Sequence, residues 1–297
     1  MKYVLTGAAG NITRPLALQL LKAGHEVTVV GRNAENLKEL AAAGASLAIG
    51  SVDDETFLTN TFKGADALYL MVPPNFGVPD MKVFIASVGK IYAKSVTGSG
   101  VKNVVALSSV GADIPKGGGP IDGLYQVEQS LNELKDVNVL HLRAGYFYHN
   151  LLANIGLIKN AGIIGSNLSV KEDKFVIVHP NDIAAAVADA LLNLSFKGHQ
   201  VEYIVSDTVS TSSIARELGT AIGKTDLQWV QFTDEQAQDG MEQAGLPKNV
   251  AADYVQMGKA LNAGTLTNDF YKQGGKVKGK IKLSEFAREF AQAYNAN

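Results

Sequence analysis

Short apolar runs alternate with amphipathic segments along the first 144 residues of the chain. The apolar runs are rich in Val, Leu and Tyr, as strands are, and the segments between them have the length and composition of helices. This alternation indicates an α/β fold with a parallel sheet covered by helices on both faces. The predicted strands are residues 3–5, 26–30, 45–49, 67–72, 103–107 and 137–142, and the predicted helices are a segment ending near 23 and residues 34–43, 56–62, 80–99 and 124–134.

The pattern becomes irregular after about residue 145. Strand-like runs at 175–178, 201–205 and 227–232 are mixed with predicted helices at 180–194 and 212–222. We therefore predict two parts, a nucleotide-binding domain over 1–150 and a smaller α+β region over 151–297. No low-complexity linker separates them, so the two parts are expected to interleave.

Composition narrows the classes of function. The 297 residues are 46% hydrophobic and 19% charged, with a net charge of −2 and no cysteine. A chain without a basic excess is not expected to bind nucleic acid, and one without cysteine has no thiolate metal site or cysteine nucleophile. The five histidines lack metal-ligand spacing, and no apolar run is long enough to cross a bilayer. We expect a cytoplasmic protein without a metal site or membrane contact.

The strongest chemical signal lies between the first predicted strand and helix. Residues 6–13 read Thr-Gly-Ala-Ala-Gly-Asn-Ile-Thr, and Pro15 suits the first helical turn. Gly7 permits a sharp turn, and Gly10 lets the backbone approach a pyrophosphate at the helix N-terminus. The position predicts a Rossmann-type dinucleotide site. The predicted cofactor contacts in this turn are Gly7, Ala9, Gly10, Asn11 and Ile12.

The end of the second predicted strand indicates which dinucleotide binds. An NAD site places Asp or Glu there to accept hydrogen bonds from the ribose hydroxyls. Here the residue is Arg32, whose guanidinium suits a 2′-phosphate. Arg14, in the turn itself, would add positive charge. We therefore predict NADP(H) in preference to NAD(H).

Five segments of the chain carry further motifs, at residues 6–12, 64–67 leading into 71–74, 107–112, 142–150 and 179–184. Together they resemble the NmrA-like branch of the atypical short-chain dehydrogenases/reductases. The branch includes quinone reductases, relatives of isoflavone reductase and redox sensors that bind a dinucleotide and a protein partner.

The resemblance implies roles for residues at the ends of three further strands. Met71, Val72 and Pro73 would lie beside the cofactor and Pro74 toward the substrate. Ser108 and Ser109 would lie where the reacting carbonyl sits, Ser108 near the cofactor and Ser109 as a catalytic residue. Ser51 and Val52 would contact the adenine, although Ser51 replaces the acid that relatives often carry.

The wider superfamily uses a Tyr-x-x-x-Lys pair, in which lysine lowers the tyrosine pKa. The candidate tyrosine is Tyr125, but the lysine position holds Gln129, and Glu128 would oppose ionisation if its carboxylate were close. Tyr125 is therefore either a proton donor or a structural helix residue. Quinone reduction remains compatible, because its product oxygens can take protons from water.

Two further segments are candidates for the substrate side. Tyr146, Phe147 and His149 either line an aromatic pocket or belong to the core. The glycine-rich loop at 115–120 is either a lid or a plain connection. The leading hypothesis is NADPH-dependent hydride transfer to a small quinone or carbonyl compound. The alternative is a non-catalytic NADP(H) sensor that binds a regulatory protein partner, which Gln129 favours.

Overall fold

The computed structural model describes residues 1–296, which contain twelve strands and twelve α-helices. The strands are β1 (Lys2–Leu5), β2 (Glu26–Gly31), β3 (Ser46–Ile49), β4 (Ala67–Leu70), β5 (Asn103–Ser109), β6 (Asn138–Ala144), β7 (Tyr146–Phe147), β8 (Ile164–Ser166), β9 (Phe175–Val178), β10 (His199–Ile204), β11 (Asp207–Val209) and β12 (Trp229–Gln231). The helices are α1 (Thr13–Lys22), α2 (Lys38–Ala42), α3 (Glu55–Phe62), α4 (Met81–Ser99), α5 (Ile121–Asn132), α6 (Ile155–Ala161), α7 (Pro180–Asn193), α8 (Thr211–Ala221), α9 (Asp234–Gln243), α10 (Lys248–Asn262), α11 (Asn268–Lys272) and α12 (Leu283–Ala296).

Seven strands form one parallel sheet in the order β10-β6-β5-β4-β1-β2-β3. Helices α1, α2 and α7 contribute buried residues to the core on one face, and α3, α4 and α5 to the core on the other. Because both faces are covered, the inner strands are largely apolar, and β4 is buried at all four of its residues. The predicted α/β, Rossmann-type doubly wound sheet is confirmed.

The remaining strands form two small sheets in the second half of the chain. One has the order β11-β9-β7, and the other pairs β12 with β8. A third core lies here, in which α6, α8 and α12 pack around the rings of Tyr148, Phe175, Phe286 and Phe290. The α+β region thus packs around a third apolar core, to which Ala112 and Ile121 of the first part also contribute.

Side-chain caps define where several helices begin. Asp80 accepts a hydrogen bond from the Val83 N–H at the start of α4, at 3.0 Å. Thr233 and Gln236 form a reciprocal capping box at the start of α9. Such caps satisfy N–H groups that have no partner inside the helix. At the other end of α4, Gly100 adopts φ +80°, which favours glycine.

Three sequence expectations differ from the structure. The helix predicted over 34–43 is a 3₁₀ turn, Glu35–Leu37, followed by α2, because the Asn33 side chain accepts from the Glu35 N–H and starts a tight turn. The strand predicted to reach residue 72 ends at Leu70. The strand predicted at 201–205 was expected in the α+β region. It is β10, which instead joins the edge of the main sheet beside β6.

Candidate functional site

A cavity of about 580 Å³ lies at the carboxyl ends of β1 to β4. The chain reverses its strand order between β1 and β4, and doubly wound sheets bind ligands at such a point. Four loops and one side chain of α4 form the walls. The lining residues are Gly7, Ala8, Ala9, Gly10, Val30, Gly31, Arg32, Asn33, Asn36, Leu37, Gly50, Ser51, Val52, Asp53, Met71, Pro73, Pro74, Asn75 and Phe84.

The turn after β1 is shaped by close contact between Gly7 and Met71. Gly7 has φ +74°, and a Cβ placed on it would overlap the Met71 Sδ and lie 2.7 Å from its Cγ. Gly10 donates its N–H to the Gly7 carbonyl at 2.9 Å. Only glycine at position 7 satisfies both the backbone angle and the space that Met71 leaves.

The start of α1 offers unpaired backbone donors beside this turn. In the part of the chain that the structure describes, the N–H groups of Asn11, Ile12 and Thr13 have no acceptor. Pro15 lies in the first turn, where a missing N–H costs nothing. Free N–H groups and the positive end of the helix dipole suit a phosphate. The glycine turn and α1 together therefore fit a dinucleotide's pyrophosphate.

Arg32 is the basic residue of this cavity. It is exposed at the end of β2, and within residues 1–296 its guanidinium has no ion-pair or hydrogen-bond partner. Arg14, in contrast, pairs with Glu39 and does not line the cavity. The Arg32 guanidinium is thus available to bind an anion, whereas the charge of Arg14 is already paired with that of Glu39.

The sequence matches a known family along nearly the whole chain. The model of the NmrA-like family matches residues 2–287. The chain belongs to the NmrA-like family. It is 25% identical to the NAD(P)H azoreductase of Xenophilus azovorans over 300 residues, which is 99% of either chain.

Solved structures of similar fold include both an enzyme and a regulator. The NADPH complex of the NADPH-dependent quinone oxidoreductase QOR2 from Escherichia coli aligns with a TM-score of 0.77 at 20% identity, over 97% of this chain and 99% of that one. The NADP complex of NmrA, a negative transcriptional regulator, aligns with a TM-score of 0.76 at 14% identity, over 100% and 97% of the two chains. At these identities the likeness shows the NmrA-like fold.

The structure divides the sequence-predicted cofactor residues of this NmrA-like chain into two groups. The first group lines the cavity, and its members are Gly7, Ala9, Gly10, Arg32, Ser51, Val52, Met71 and Pro73, together with the substrate candidate Pro74. The second group does not, and its members are Asn11, Ile12, Val72 and Ser108. Of these, Asn11 and Ile12 flank the cavity through the free N–H groups of the turn.

Ser108 belongs to a buried charged network on the face of the sheet covered by α5. Its hydroxyl donates to Glu128 Oε1 at 2.5 Å, and Glu128 receives two hydrogen bonds from Arg143. Arg143 also donates to the Tyr203 hydroxyl and to Asp269. Burial acts to lower the pKa of Arg143, but its hydrogen bonds and attraction to Glu128 outweigh this and raise it. The network occupies Ser108 and keeps the Glu128 carboxylate engaged with Arg143.

Ser109 and Tyr125 lie outside the lining of the cavity. Ser109 ends β5 and donates its hydroxyl to the Val110 carbonyl at 2.9 Å. Tyr125 is partly exposed on α5, and its hydroxyl has no partner within the described residues. Gln129, one turn later, is exposed. The phenol of Tyr125 is therefore unpaired within the described residues, and no lysine lies on that helix turn.

Tyr146, Phe147 and His149, in the aromatic segment after β6, each contact a different part of the structure. Tyr146 packs on Phe175, with ring centroids 5.1 Å apart. Burial is the main cause that raises the pKa of Tyr146 to about 12, and the nearby Tyr254 adds a smaller electrostatic effect. Phe147 packs against the core on the α1 and α7 face. His149 lies against the rings of His179 and Phe286. None of the three lines the cavity.

The structure gathers three groups that the sequence spacing did not connect. Ligand-capable atoms of His149, His179 and Glu289 lie within 4.8 Å of one another. His179 Nδ1 accepts from the Asn181 N–H, so its Nε2 carries the proton and donates to Glu289 at 3.2 Å. A metal would need that Nε2 as a lone-pair donor. The hydrogen bonds therefore favour a cap at α7 over a metal centre.

The glycine-rich loop at 115–120 is held at both of its faces. The Asp122 carboxylate accepts from the N–H groups of Gly117 and Gly118, at 3.1 and 2.7 Å. Gly119 packs directly on the backbone of α10 at Asp253. These contacts fit a fixed connection and not a mobile lid.

Sequence reasoning missed several residues that line the cavity. They include Asn36, Asp53, Asn75 and Phe84. Asp53 and Asn75 directly follow predicted contacts, so extending each strand-end segment by one residue would have included them. Asn36 and Phe84 are brought to the cavity by the turn after β2 and by α4, whose positions depend on tertiary packing.

None of the helices within residues 1–296 combines the length and apolar character that a bilayer crossing requires.

Proposed function

We propose that the chain is an NADPH-dependent reductase that transfers hydride to a small quinone or carbonyl compound. The observation that carries the proposal is the unpaired Arg32 guanidinium in a cavity that also contains the glycine turn. A 2′-phosphate is the group on a dinucleotide that such a free guanidinium recognises. The NADPH-dependent quinone oxidoreductase and the NAD(P)H azoreductase among its relatives support the same class of reaction.

The residues present suit each part of the cofactor. The free N–H groups at the start of α1 suit the pyrophosphate, Ser51 and Val52 suit the adenine, and Arg32 suits the 2′-phosphate. Beyond the glycine turn, the cavity is lined by Met71, Pro73, Pro74 and Phe84, which carry no charge. An uncharged wall suits a neutral nicotinamide ring. When bound, NADPH supplies the hydride.

The reduced substrate also needs a proton. A carbonyl that accepts hydride becomes an alkoxide, which must take a proton from an acid or from water. Tyr125 is the candidate acid, because its hydroxyl is unpartnered and partly exposed. Ser109, at the end of β5, is the candidate for orienting the carbonyl. A quinone depends less on Tyr125, because its product oxygens are more acidic and water can protonate them.

The test is consumption of NADPH by the purified protein, followed by absorbance with a panel of quinones and enals. NADH is run in parallel, and cofactor binding is measured on the same sample by fluorescence. Turnover with NADPH preferred over NADH supports the proposal. Failure to bind NADPH would contradict it at the first step.

A second candidate function is a non-catalytic NADP(H) sensor that binds a regulatory protein partner. It is favoured by Gln129, which leaves Tyr125 without the cation that lowers a tyrosine pKa in the superfamily's reductases. The similar fold of a negative transcriptional regulator that binds NADP supports it as well. Tight NADPH binding without consumption across the panel would favour this function over the reductase.

A further inference from the structure

Tyr92 is a fully buried residue in the middle of α4 and does not line the cavity. Its hydroxyl donates to the carbonyl of Met71 at 2.6 Å. A buried phenol is normally retained where its hydroxyl finds a partner. Here that partner is the backbone of a residue that lines the cavity.

The backbone of Met71 is fixed on both sides of its Cα. Its N–H donates to Thr6 Oγ1 at 2.8 Å, and Thr6 Oγ1 donates to its carbonyl at 3.0 Å. The first of these bonds replaces the next bond of the sheet ladder, so β4 ends at Leu70. Thr13, the first residue of α1, donates its hydroxyl to the Thr6 carbonyl at 2.9 Å. One hydrogen-bonded cluster thus joins β1, β4, α1 and α4 below the cavity.

The side chain of Met71 is directed by this cluster onto Gly7. Methionine has three rotatable side-chain bonds and adapts readily to its surroundings, so a fixed backbone is what confines its thioether. In the sheet, β4 and β2 flank β1 on opposite sides. Met71 and Arg32 therefore lie on opposite sides of the glycine turn.

We propose that Tyr92 is a positioning residue that sets, through Met71, the affinity of the cavity for the nicotinamide half of NADP(H). This rests on the proposed cofactor, with the 2′-phosphate at Arg32. With that phosphate on the β2 side, the nicotinamide half extends to the β4 side, where Met71 lies. The residues suited to the adenine and the 2′-phosphate, Ser51, Val52 and Arg32, are not among those that the Tyr92 hydroxyl contacts.

The chain contains a matched control for Tyr92. Tyr69, in β4, is also fully buried, and its hydroxyl has no hydrogen-bond partner within the described residues. Replacing either tyrosine by phenylalanine removes one hydroxyl and leaves the ring. In Tyr69→Phe the change breaks no bond, whereas in Tyr92→Phe it removes a donor from the Met71 carbonyl.

The experiment measures binding of two probes, NADPH and adenosine 2′,5′-bisphosphate, to the unchanged protein and both variants. Loss of one buried hydrogen bond predicts that Tyr92→Phe weakens NADPH binding about five- to tenfold. The bisphosphate lacks the nicotinamide half, so its contacts do not change in Tyr92→Phe. Its affinity should therefore stay within about twofold of the affinity of the unchanged protein. Tyr69→Phe is expected to leave both affinities unchanged.

A double-mutant cycle with Met71→Ala tests whether the effect passes through Met71. If it does, adding Tyr92→Phe to Met71→Ala produces no further loss of NADPH affinity. Equal weakening of both probes by Tyr92→Phe, or an unchanged NADPH affinity, would overturn the role of Tyr92. If Tyr92→Phe does not fold, Met71→Ala alone must still weaken NADPH selectively. If the unchanged protein binds the bisphosphate but not NADPH, the inference fails; if it binds neither, the proposed cofactor fails with it.

Discussion

Arg143 and Glu128 form a buried, two-point ion pair between β6 and α5. Arg143 Nε lies 3.0 Å from Glu128 Oε1, and Arg143 Nη2 lies 2.7 Å from Glu128 Oε2. The Glu128 side chain is 3% exposed and that of Arg143 is 9% exposed, so water compensates neither charge. The pair fixes α5, which carries Tyr125, to β6.

Removing one charge of this pair is predicted to destabilise the fold. Glu128→Gln leaves the Arg143 cation buried with weaker partners, at a cost of about 3 kcal/mol in the free energy of unfolding. Urea denaturation measures the difference. The control is Glu26→Gln, because Glu26 pairs with Lys2 at an exposed site and should change stability by less than about 0.5 kcal/mol. Similar losses in both variants would contradict the importance of burial.

Cofactor preference is predicted to depend on Arg32. Arg32→Ala removes the unpaired guanidinium and should weaken NADPH binding by about 2 kcal/mol, roughly thirtyfold, while NADH binding changes little. Fluorescence titration with both cofactors measures this. Arg14→Ala is the matched control, since Arg14 is paired with Glu39 and lies outside the cavity lining. Equal losses of NADPH and NADH affinity in Arg32→Ala would assign Arg32 a general role and not recognition of the 2′-phosphate.

The acid stability of the protein is predicted to depend on His141. Burial lowers the pKa of His141 from 6.5 to about 4, and its Nε2 bonds to Asn132 Oδ1 at 2.8 Å while its Nδ1 has no partner within the described chain. The unfolded chain takes up a proton near pH 6.5, whereas the folded chain does so only near pH 4. Stability is therefore lost as the pH falls from 6.5 to 4, by up to about 3 kcal/mol from this group.

Chemical denaturation at a series of pH values tests the role of His141. His141→Gln should lose less stability than the unchanged protein between pH 6.5 and pH 4. His25→Gln, which removes a histidine that does not act on His141, serves as the control. Parallel pH curves for the unchanged protein and His141→Gln would refute the prediction.

Tyr125 is predicted to matter more for carbonyl substrates than for quinones. If its hydroxyl supplies the proton, Tyr125→Phe lowers kcat for an enal by about a hundredfold, the lower end of general acid catalysis. With a quinone the loss should be less than about tenfold, because water protonates the product. Steady-state kinetics with both substrates gives the ratio, and Tyr271→Phe, at an exposed tyrosine on α11, is the control. Equal effects on both substrates would mean that Tyr125 is structural.

Local sequence patterns were sufficient to predict the main sheet and the glycine turn. Each of the six predicted strands is a short, mostly apolar run, and the turn at Gly7 follows one of them directly. Placement of β10 beside β6 could not be predicted, because a parallel pairing depends on contacts between distant parts of the chain. The same holds for Tyr92, whose partner Met71 lies 21 residues away. Its apolar setting on α4 is indistinguishable from an ordinary core position.

The charged and aromatic residues near the ends of β5 and β6 were harder to place. Ser108 directly precedes Ser109, yet successive strand residues point to opposite faces, so the two serines have different partners. His149 follows the end of β6 closely, but the 3₁₀ turn Tyr148–Asn154 takes it away from the cavity and toward α12. Sequence proximity to a strand end therefore did not decide which side chains line the cavity.

The position of β10 makes the two halves of the chain inseparable. The strand β10 lies in the second part of the chain, after residue 150. It nevertheless pairs with β6 along six residues, from His199 to Ile204. A fragment ending at residue 150 would leave the hydrogen-bonding edge of β6 open, and Arg143 would lose both Tyr203 and Asp269. Such a fragment would present an unprotected strand edge, a template for self-association. The sheet begun by the first 150 residues therefore gains its edge strand only after the ribosome has passed residue 204.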